Sequence, residues 1–166
     1  MNLENETGIK NFRNTWQKAS ISLIYTYGFL SNGYETFFKK YDITGQQYNA
    51  LRILKGQYPK PISTSFLREN MLDKMSDASR LVSRLSSKEL VDVSTNSYDK
   101  RLVNILLSNK GLELISVIEK EVFELDALMH GINEEEAEQL IEILTKVRKH
   151  LKSKNETEST KTNNNV

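Results

Sequence analysis

The fold of this chain is decided by residues 73–111, which read DKMSDASRLVSRLSSKELVDVSTNSYDKRLVNILLSNKG. The first half predicts a short helix over about residues 76–88, because its apolar residues recur at spacings of three and four and therefore share one helical face. These residues are Ala78, Leu81, Val82 and Leu85. We expect the stripe that they form to face a core.

The opposite face of this helix is polar and basic. It carries Ser76, Ser79, Arg80, Ser83, Arg84 and Ser87, with Asp77 at its flank. Arginine offers paired donors to guanine or phosphate, and serine hydroxyls hydrogen-bond to bases or phosphates, so this face suits the major groove of DNA. The candidate contacts are Ser76, Ser79, Arg80, Ser83 and Arg84. The alternative is an ordinary solvated face, since small polar residues opposite a core stripe occur on any surface helix.

A β-hairpin is predicted directly after the helix. Residues 90–93 and 101–107 have strand composition, and residues 95–99 have turn chemistry. The tip carries Lys100 and Arg101, two cations placed to reach a DNA backbone or a narrow minor groove. We interpret Asp99 as a partner that fixes the guanidinium of Arg101. The alternative is a plain exposed turn with a weak ion pair.

Three stretches together resemble the MarR (multiple antibiotic resistance regulator) family of transcription factors. They are ITGQQYNAL at 43–51, SRLVSRL at 79–85 continuing to KELV at 88–91, and DKR at 99–101 leading to LSNKG at 107–111. The resemblance covers most of the chain and implies a homodimeric winged-helix regulator. It also implies that Arg101 enters the minor groove, supported by Asp99.

The chain departs from the family pattern at two places. Glu89 stands where the family usually has glycine, so this residue must either adopt a left-handed conformation or end the helix differently. Val93 and Ser94 stand where the family often has arginines at the start of the wing. One set of phosphate contacts is therefore expected to differ.

The whole chain predicts six helices and one hairpin, a mainly α fold with a small β wing. We expect a winged helix-turn-helix flanked by N- and C-terminal dimerisation helices. The predicted segments are a flexible N-terminus (1–10), a first dimerisation helix (11–42), a winged helix-turn-helix DNA-binding region (43–107), C-terminal dimerisation helices (108–152) and a disordered tail (153–166).

Helix boundaries follow from local signals. Capping boxes are predicted at 44–47 and 133–136, where Thr or Asn is followed three residues later by Gln or Glu. Ser108 is expected to cap the fifth helix, which should continue to Met129 and stop at Gly131.

Charge is distributed unevenly although the net charge is only +1. Residues 44–110 hold 11 Lys and Arg against 6 Asp and Glu, whereas residues 111–151 hold 4 against 10. The middle segment is therefore the one that suits a polyanion, and the acidic segment should point away from it.

Several classes of function are disfavoured by composition. The chain has no cysteine, which excludes disulfides, thiol switches and cysteine-bound metal, and its two histidines, His130 and His150, do not suggest a zinc site. No cofactor, metal or catalytic motif is predicted, and the glutamates at 134–136 fit the first turn of a helix better than an acid–base pair. Without a leader or a membrane span, we expect a cytoplasmic protein.

These observations predict a dimeric transcriptional regulator, a repressor in our interpretation, that binds a pseudo-palindromic operator in double-stranded DNA. The resemblance implies an effector crevice between the dimer arm and the DNA-reading lobe, where a small aromatic or phenolic anion would release the DNA. The candidate residues for contact with such a ligand are Trp16, Tyr27, Tyr34 and Tyr48. The alternative function is a winged-helix module for protein interaction or dimerisation without DNA binding.

Overall fold

A computed structural model describes residues 2–74, 77–96, 99–100 and 102–163, with side chains described as far as residue 154. The chain divides into two compact units, Met1–Leu125 and Asp126–Val166. In chain order the elements are α1 (Leu3–Thr7), α2 (Thr15–Lys39), α3 (Gly45–Gln57), α4 (Thr64–Asn70), α5 (Ala78–Ser87), β1 (Val91–Thr95), β2 (Val103–Leu107), α6 (Asn109–Ile118), a 3-10 helix (Val122–Met129) and α7 (Glu134–Asn163). This confirms the predicted mainly α fold with a small β wing.

Side-chain caps set the starts of the central helices. The capping box of α3 is confirmed: Thr44 Oγ1 accepts from Gln47 N at 3.2 Å, and Gln47 Oε1 accepts from Thr44 N at 3.0 Å. Helix α4 begins at Thr64, because Ser63 Oγ accepts from Phe66 N at 3.1 Å and so caps the helix there.

The two strands form an antiparallel hairpin in which Val91 pairs with Leu107 and Val93 with Ile105. A third chain segment joins the hairpin through Ile62, whose N and O both hydrogen-bond to Ile105, at 2.9 and 2.8 Å. The segment before α4 is thereby tied to β2, which fixes the hairpin against the helices.

The core of the unit Met1–Leu125 draws side chains from every helix between α2 and α6 and from both strands. The stripe predicted on α5 faces this core, as expected. The largest fully buried side chains are Phe38, Leu51, Leu67, Met71, Leu85, Ile105, Ile115 and Ile118.

The unit Asp126–Val166 contains the long helix α7. Its capping box is confirmed, with Glu136 N donating to Asn133 Oδ1 and Asn133 N donating to Glu136 Oε2, both at 2.9 Å. Within this unit Ile141, Ile143 and Leu151 are exposed. None of the described helices, α7 included, combines the length and hydropathy that crossing a membrane requires.

The fifth predicted helix is shorter than expected. Ser108 caps α6 as predicted, its Oγ accepting from Gly111 N at 3.0 Å, but the helix ends at Ile118 instead of Met129. After it the backbone turns more tightly, with Lys120 N donating to Val117 O at 3.2 Å, three residues back. The helical spacing of apolar residues continues past this point, so the pattern did not reveal the break.

The chain ends also differ from expectation. Residues 3–7 form helix α1 within the segment that we expected to be flexible, and Gly8, at a φ of 73°, ends that helix. At the other end α7 continues to Asn163, beyond residue 153 where we expected a disordered tail to begin. The sequence there contains the helix formers Lys152 and Lys154, which permit this continuation.

Candidate nucleic-acid interface

Helix α5 presents a polar face to solvent because its apolar residues are all turned inward. Ser79, Arg80, Ser83 and Arg84 are exposed, while the stripe behind them is buried. The fifth candidate contact on this helix, Ser76, lies outside the described residues. Four of the five predicted major-groove contacts thus share one accessible face.

Asp77, which we had placed at the flank of this face, is the N-cap of α5. Its Oδ1 accepts from Arg80 N at 3.1 Å, and its Oδ2 lies 3.5 Å from Arg80 Nε. Both side chains are exposed, so this ion pair contributes little to stability. Its effect is on geometry, because the Asp77 carboxylate holds the Arg80 guanidinium at the start of α5. Ser87 Oγ donates to Arg84 O at 2.9 Å and therefore satisfies the end of the helix.

The turn between α4 and α5 is anchored from α3. Asn49 is buried, and its Oδ1 accepts from Leu72 N at 2.9 Å, while Gln46 Nε2 donates to Asp73 Oδ2 at 3.0 Å. The Leu72 side chain itself is exposed. Neither amide was singled out from the sequence, because their partners lie more than twenty positions away.

The tip of the wing is held by backbone and amide hydrogen bonds. Asn96 Nδ2 donates to Asn104 Oδ1 at 2.9 Å, Asp99 N donates to Asn96 Oδ1 at 3.1 Å, and Leu102 N donates to Asp99 O at 2.9 Å. Lys100 is exposed on this turn. Arg101 lies outside the described residues, so its support by Asp99 stays a prediction.

The exit from α5 is held on two sides by contacts that the sequence did not reveal. Lys88 Nζ lies 2.6 Å from Asp42 Oδ2 and also donates to Asp42 O, at the corner between α2 and α3. On the other side, Lys110 Nζ lies 2.8 Å from Glu89 Oε2, and Ser108 Oγ donates to Glu89 O at 2.6 Å. The hydrogen bond from Lys110 holds the pKa of Glu89 below its ordinary value.

A row of polar contacts joins α2 and α3 to the region that follows the wing. Burial, and then the hydrogen bond to Glu121, raise the pKa of Tyr41 to about 12. The hydrogen bond to Glu124 raises the pKa of Lys40. The pairs are Lys40 with Glu124 at 2.8 Å, Tyr41 with Glu121 at 2.7 Å, and Lys55 with Glu119 at 2.5 Å.

The four aromatic candidates for ligand contact do not form one cluster. Trp16 and Tyr27 are 83% and 66% exposed on α2. At 1.5 Å per residue, Trp16 is about 27 Å along the helix from Tyr34. Tyr34 and Tyr48 share one neighbour, because each contacts the ring of Phe38, at centroid distances of 6.3 and 4.6 Å.

The two tyrosines that contact Phe38, Tyr34 and Tyr48, differ in environment. Tyr48 is half-buried, and burial raises its pKa, whereas Tyr34 is exposed. Among the described residues, no group of three histidine, aspartate or glutamate side chains is placed to hold a metal ion.

No protein-family model and no curated protein matches the chain. Solved structures do. A MarR-like transcription regulator from Bacillus cereus is 23% identical, with 81% of this chain and 96% of that one covered and a TM-score of 0.73. A MarR transcription factor from Planctomyces limnophilus is 25% identical over 81% and 98%, with a TM-score of 0.63. A mutant MarR from E. coli, complexed with operator DNA, is 21% identical over 89% and 99%, with a TM-score of 0.70.

This chain has the MarR-family winged-helix fold. The resemblance seen in the sequence is thereby confirmed, and the neighbours are transcription regulators, which supports a DNA-binding regulator.

The first departure from the MarR pattern has a clear structural outcome. Glu89 takes the left-handed conformation, at a φ of 62°, so the turn that usually carries glycine forms here without one. Its contacts with Ser108 and Lys110 offset part of the conformational cost. At the second departure, Val93 and Ser94 are exposed on β1.

Proposed function

We propose that this protein is a dimeric, DNA-binding transcriptional regulator that reads a pseudo-palindromic operator with α5 and the wing. The observation that carries the proposal is the accessible face of α5, where Ser79, Arg80, Ser83 and Arg84 stand together above a fully buried stripe. Serine and arginine at these positions provide donors to base edges and phosphates. The excess of cations in residues 44–110 as a whole suits a polyanionic partner.

The solved neighbours support this use of the fold. The MarR protein of E. coli and the MepR protein of S. aureus have each been solved as a complex with DNA. We assign Ser76 to the major-groove set and Lys100 and Arg101 to the wing, with Asp99 orienting the arginine.

Dimerisation is proposed from uncovered apolar surface on two helices. A soluble monomer rarely exposes so many large apolar side chains, so a second copy of the chain is the expected cover. Those exposed on α2 are Trp16, Leu23, Ile24, Tyr27, Phe29 and Tyr34, and those on α7 are Ile141, Ile143, Val147 and Leu151. Sedimentation of a 19.1 kDa monomer at micromolar concentration would contradict this part of the proposal.

Selection of bound sites from random DNA, with purified full-length protein, tests the central proposal. A two-fold-related sequence should be enriched, because a symmetric dimer presents two equal reading heads. On that site, Arg84→Ala should cost about 1–3 kcal/mol if the arginine reads a base, and the loss should be confined to the preferred sequence. Lys149→Ala, an exposed cation on α7, is the matched control and should leave affinity unchanged. Failure to enrich any site would favour the protein-interaction module instead.

The direction in which one further substitution changes DNA affinity tests the assignment of the wing. Asp99→Ala removes a negative charge and should nevertheless weaken binding, because Arg101 loses the carboxylate that orients it. Arg101→Ala should weaken binding as well. Tighter binding by Asp99→Ala, as charge counting alone requires, would contradict the assigned role.

We further propose that the regulator represses transcription and that a small aromatic anion releases it from the operator. A precedent exists in a structural neighbour, BpsR of Bordetella bronchiseptica, whose DNA binding is regulated by 6-hydroxynicotinic acid. In this chain we assign the ligand contact to Tyr34 and Tyr48, because both lie against the ring of Phe38. Trp16 and Tyr27 lie further along α2, so they could contact a ligand only at a different place on that helix.

Operator release by a panel of aromatic carboxylates tests the effector proposal. Tyr48→Leu should abolish the response to an active compound while leaving DNA affinity intact, because it removes the half-buried ring without touching α5. Tyr58→Leu, which removes an exposed tyrosine at the end of α3, is the control. If no compound releases the DNA, the protein is a regulator without an effector of this class.

A further inference from the structure

The exit of the recognition helix α5 carries a cation that behaves unlike the arginines before it. Arg84 is exposed on the polar face, whereas Lys88, one turn later, is half-buried, with 32% of its side chain exposed. Its ammonium lies 2.6 Å from Asp42 Oδ2 and also donates to Asp42 O. Lys88 is therefore engaged by two oxygens of one residue that is 46 positions away in the chain.

The backbone at the other end of this contact is held in place, while the Asp42 side chain itself is 96% exposed. Asp42 has a left-handed backbone, at a φ of 55°, and its N donates to Lys39 O at 3.1 Å. The next residue, Ile43, is buried in the core and its N donates to Phe38 O at 3.3 Å. The corner between α2 and α3 is thus held by backbone bonds and by burial, and it is a suitable anchor for a neighbouring helix.

We infer that Lys88 is a positioning residue, which ties the exit of α5 to the corner after α2, and that it is not a phosphate contact. This inference rests on the proposed DNA-binding function. A recognition helix binds only when its angle to the groove is right, so apparent affinity falls with the fraction of molecules that hold that angle. The tether raises this fraction, and it connects the reading helix to the corner that follows the proposed dimerisation helix α2.

The two possible roles of Lys88 predict opposite changes in DNA affinity when its partner Asp42 is replaced. If Lys88 only binds phosphate, Asp42 competes with DNA for the ammonium, and Asp42→Asn should tighten binding. If Lys88 is a tether, Asp42→Asn should weaken binding although the protein becomes more positive. Asparagine is the appropriate replacement because it tolerates the left-handed conformation at this position.

The experiment is a double-mutant cycle with full-length protein on the selected DNA site, over a series of salt concentrations. The variants are Lys88→Met, Asp42→Asn and the two combined, and Lys149→Met serves as the control for loss of a cation. Each single variant should lower affinity by about two- to fivefold per reading head, the range expected for a partly exposed ion pair. The combined variant should be no worse than either one, and the salt slope should stay unchanged.

Three results would overturn the inference. The first is an Asp42→Asn variant that binds DNA as tightly as the wild type or more tightly. The second is a Lys88→Met variant whose salt slope is flatter by about one phosphate contact per head, the signature of direct contact. The third is a lower melting temperature with unchanged affinity, which would make the pair a contact for stability alone. If the wild-type protein binds no DNA, the proposed function is overturned. That outcome differs from one in which the wild type binds DNA and both single variants bind it equally well, which overturns only the role of Lys88.

Discussion

Replacing Gly111 with alanine should destabilise the protein by forcing the base of the wing away from α6. A Cβ at this position would lie 2.2 Å from Leu90 O and 3.1 Å from Leu107 Cδ2. An ordinary carbon–oxygen contact is about 3.3 Å, so the two backbones would have to separate by about 1 Å. Leu90 cannot yield easily, because its N donates to Leu85 O at 3.0 Å and its O accepts from Ser108 N at 3.3 Å.

The magnitude follows from two opposing effects. Overpacking a rigid site costs about 3 kcal/mol at the upper end of the usual range. Alanine in place of glycine within a helix returns about 0.5–1 kcal/mol. We therefore expect Gly111→Ala to lower the free energy of unfolding by about 2 kcal/mol, which corresponds to about 4–8 °C in Tm for a chain of this size.

Urea unfolding followed by circular dichroism measures this change in the free energy of unfolding. The protein concentration is kept fixed because dimerisation would contribute to stability. Gly56→Ala is the matched control: a Cβ there meets nothing within 4 Å, so this helical glycine should gain stability on replacement. The DNA affinity of Gly111→Ala should fall as well, since β1 and β2, the strands that would be displaced, form the wing. Equal unfolding midpoints for the two variants would refute the reasoning.

Three further substitutions probe local chemistry. Tyr41→Phe should remove a tyrosine that ionises late, because burial and Glu121 raise the pKa of Tyr41 from 10.0 to about 12. The contribution of this shift to stability is complete below pH 10 and is lost as the pH rises towards 12, which ultraviolet titration of tyrosinate measures. Lys110→Met should let the lowered pKa of Glu89 return towards 4.5, as carboxyl NMR would show. In the unsubstituted protein the stability linked to that shift is present above pH 4.5 and disappears as the pH falls through the lowered pKa. Asp77→Ala should cost about 1 kcal/mol in urea unfolding because α5 loses its N-cap, whereas Asp77→Asn should retain the cap.

The parts of the fold that the sequence predicted well are those with short-range causes. The stripe on α5 needs only helical periodicity, and the capping boxes at 44–47 and 133–136 need only a hydrogen bond across three residues. Glu89 is an instructive case. Its substitution for glycine left two outcomes open from sequence, and the structure shows the left-handed one.

The parts that it missed depend on contacts between distant residues. Helix α6 ends at Ile118, and two carboxylates beyond it are bound by residues that follow α2. Tyr41 donates to Glu121 across 80 positions, and Lys40 donates to Glu124. Periodicity carries no information about such partners. For the same reason Lys88 counted only as one more cation in a basic segment, although its role is decided by Asp42.

The aromatic residues of α2 show a different limit, because periodicity identifies an apolar face without saying what covers it. Phe37 and Phe38, at the end of the helix, are buried against the other helices of the same unit, whereas Trp16 and Tyr27, earlier on the same helix, are exposed. A stripe that faces a core and one that faces a second subunit have the same spacing and composition. The exposed apolar residues of α2 are the basis on which we propose a partner chain. Trp16, which we had grouped with Tyr34 and Tyr48, belongs to that proposed dimer surface.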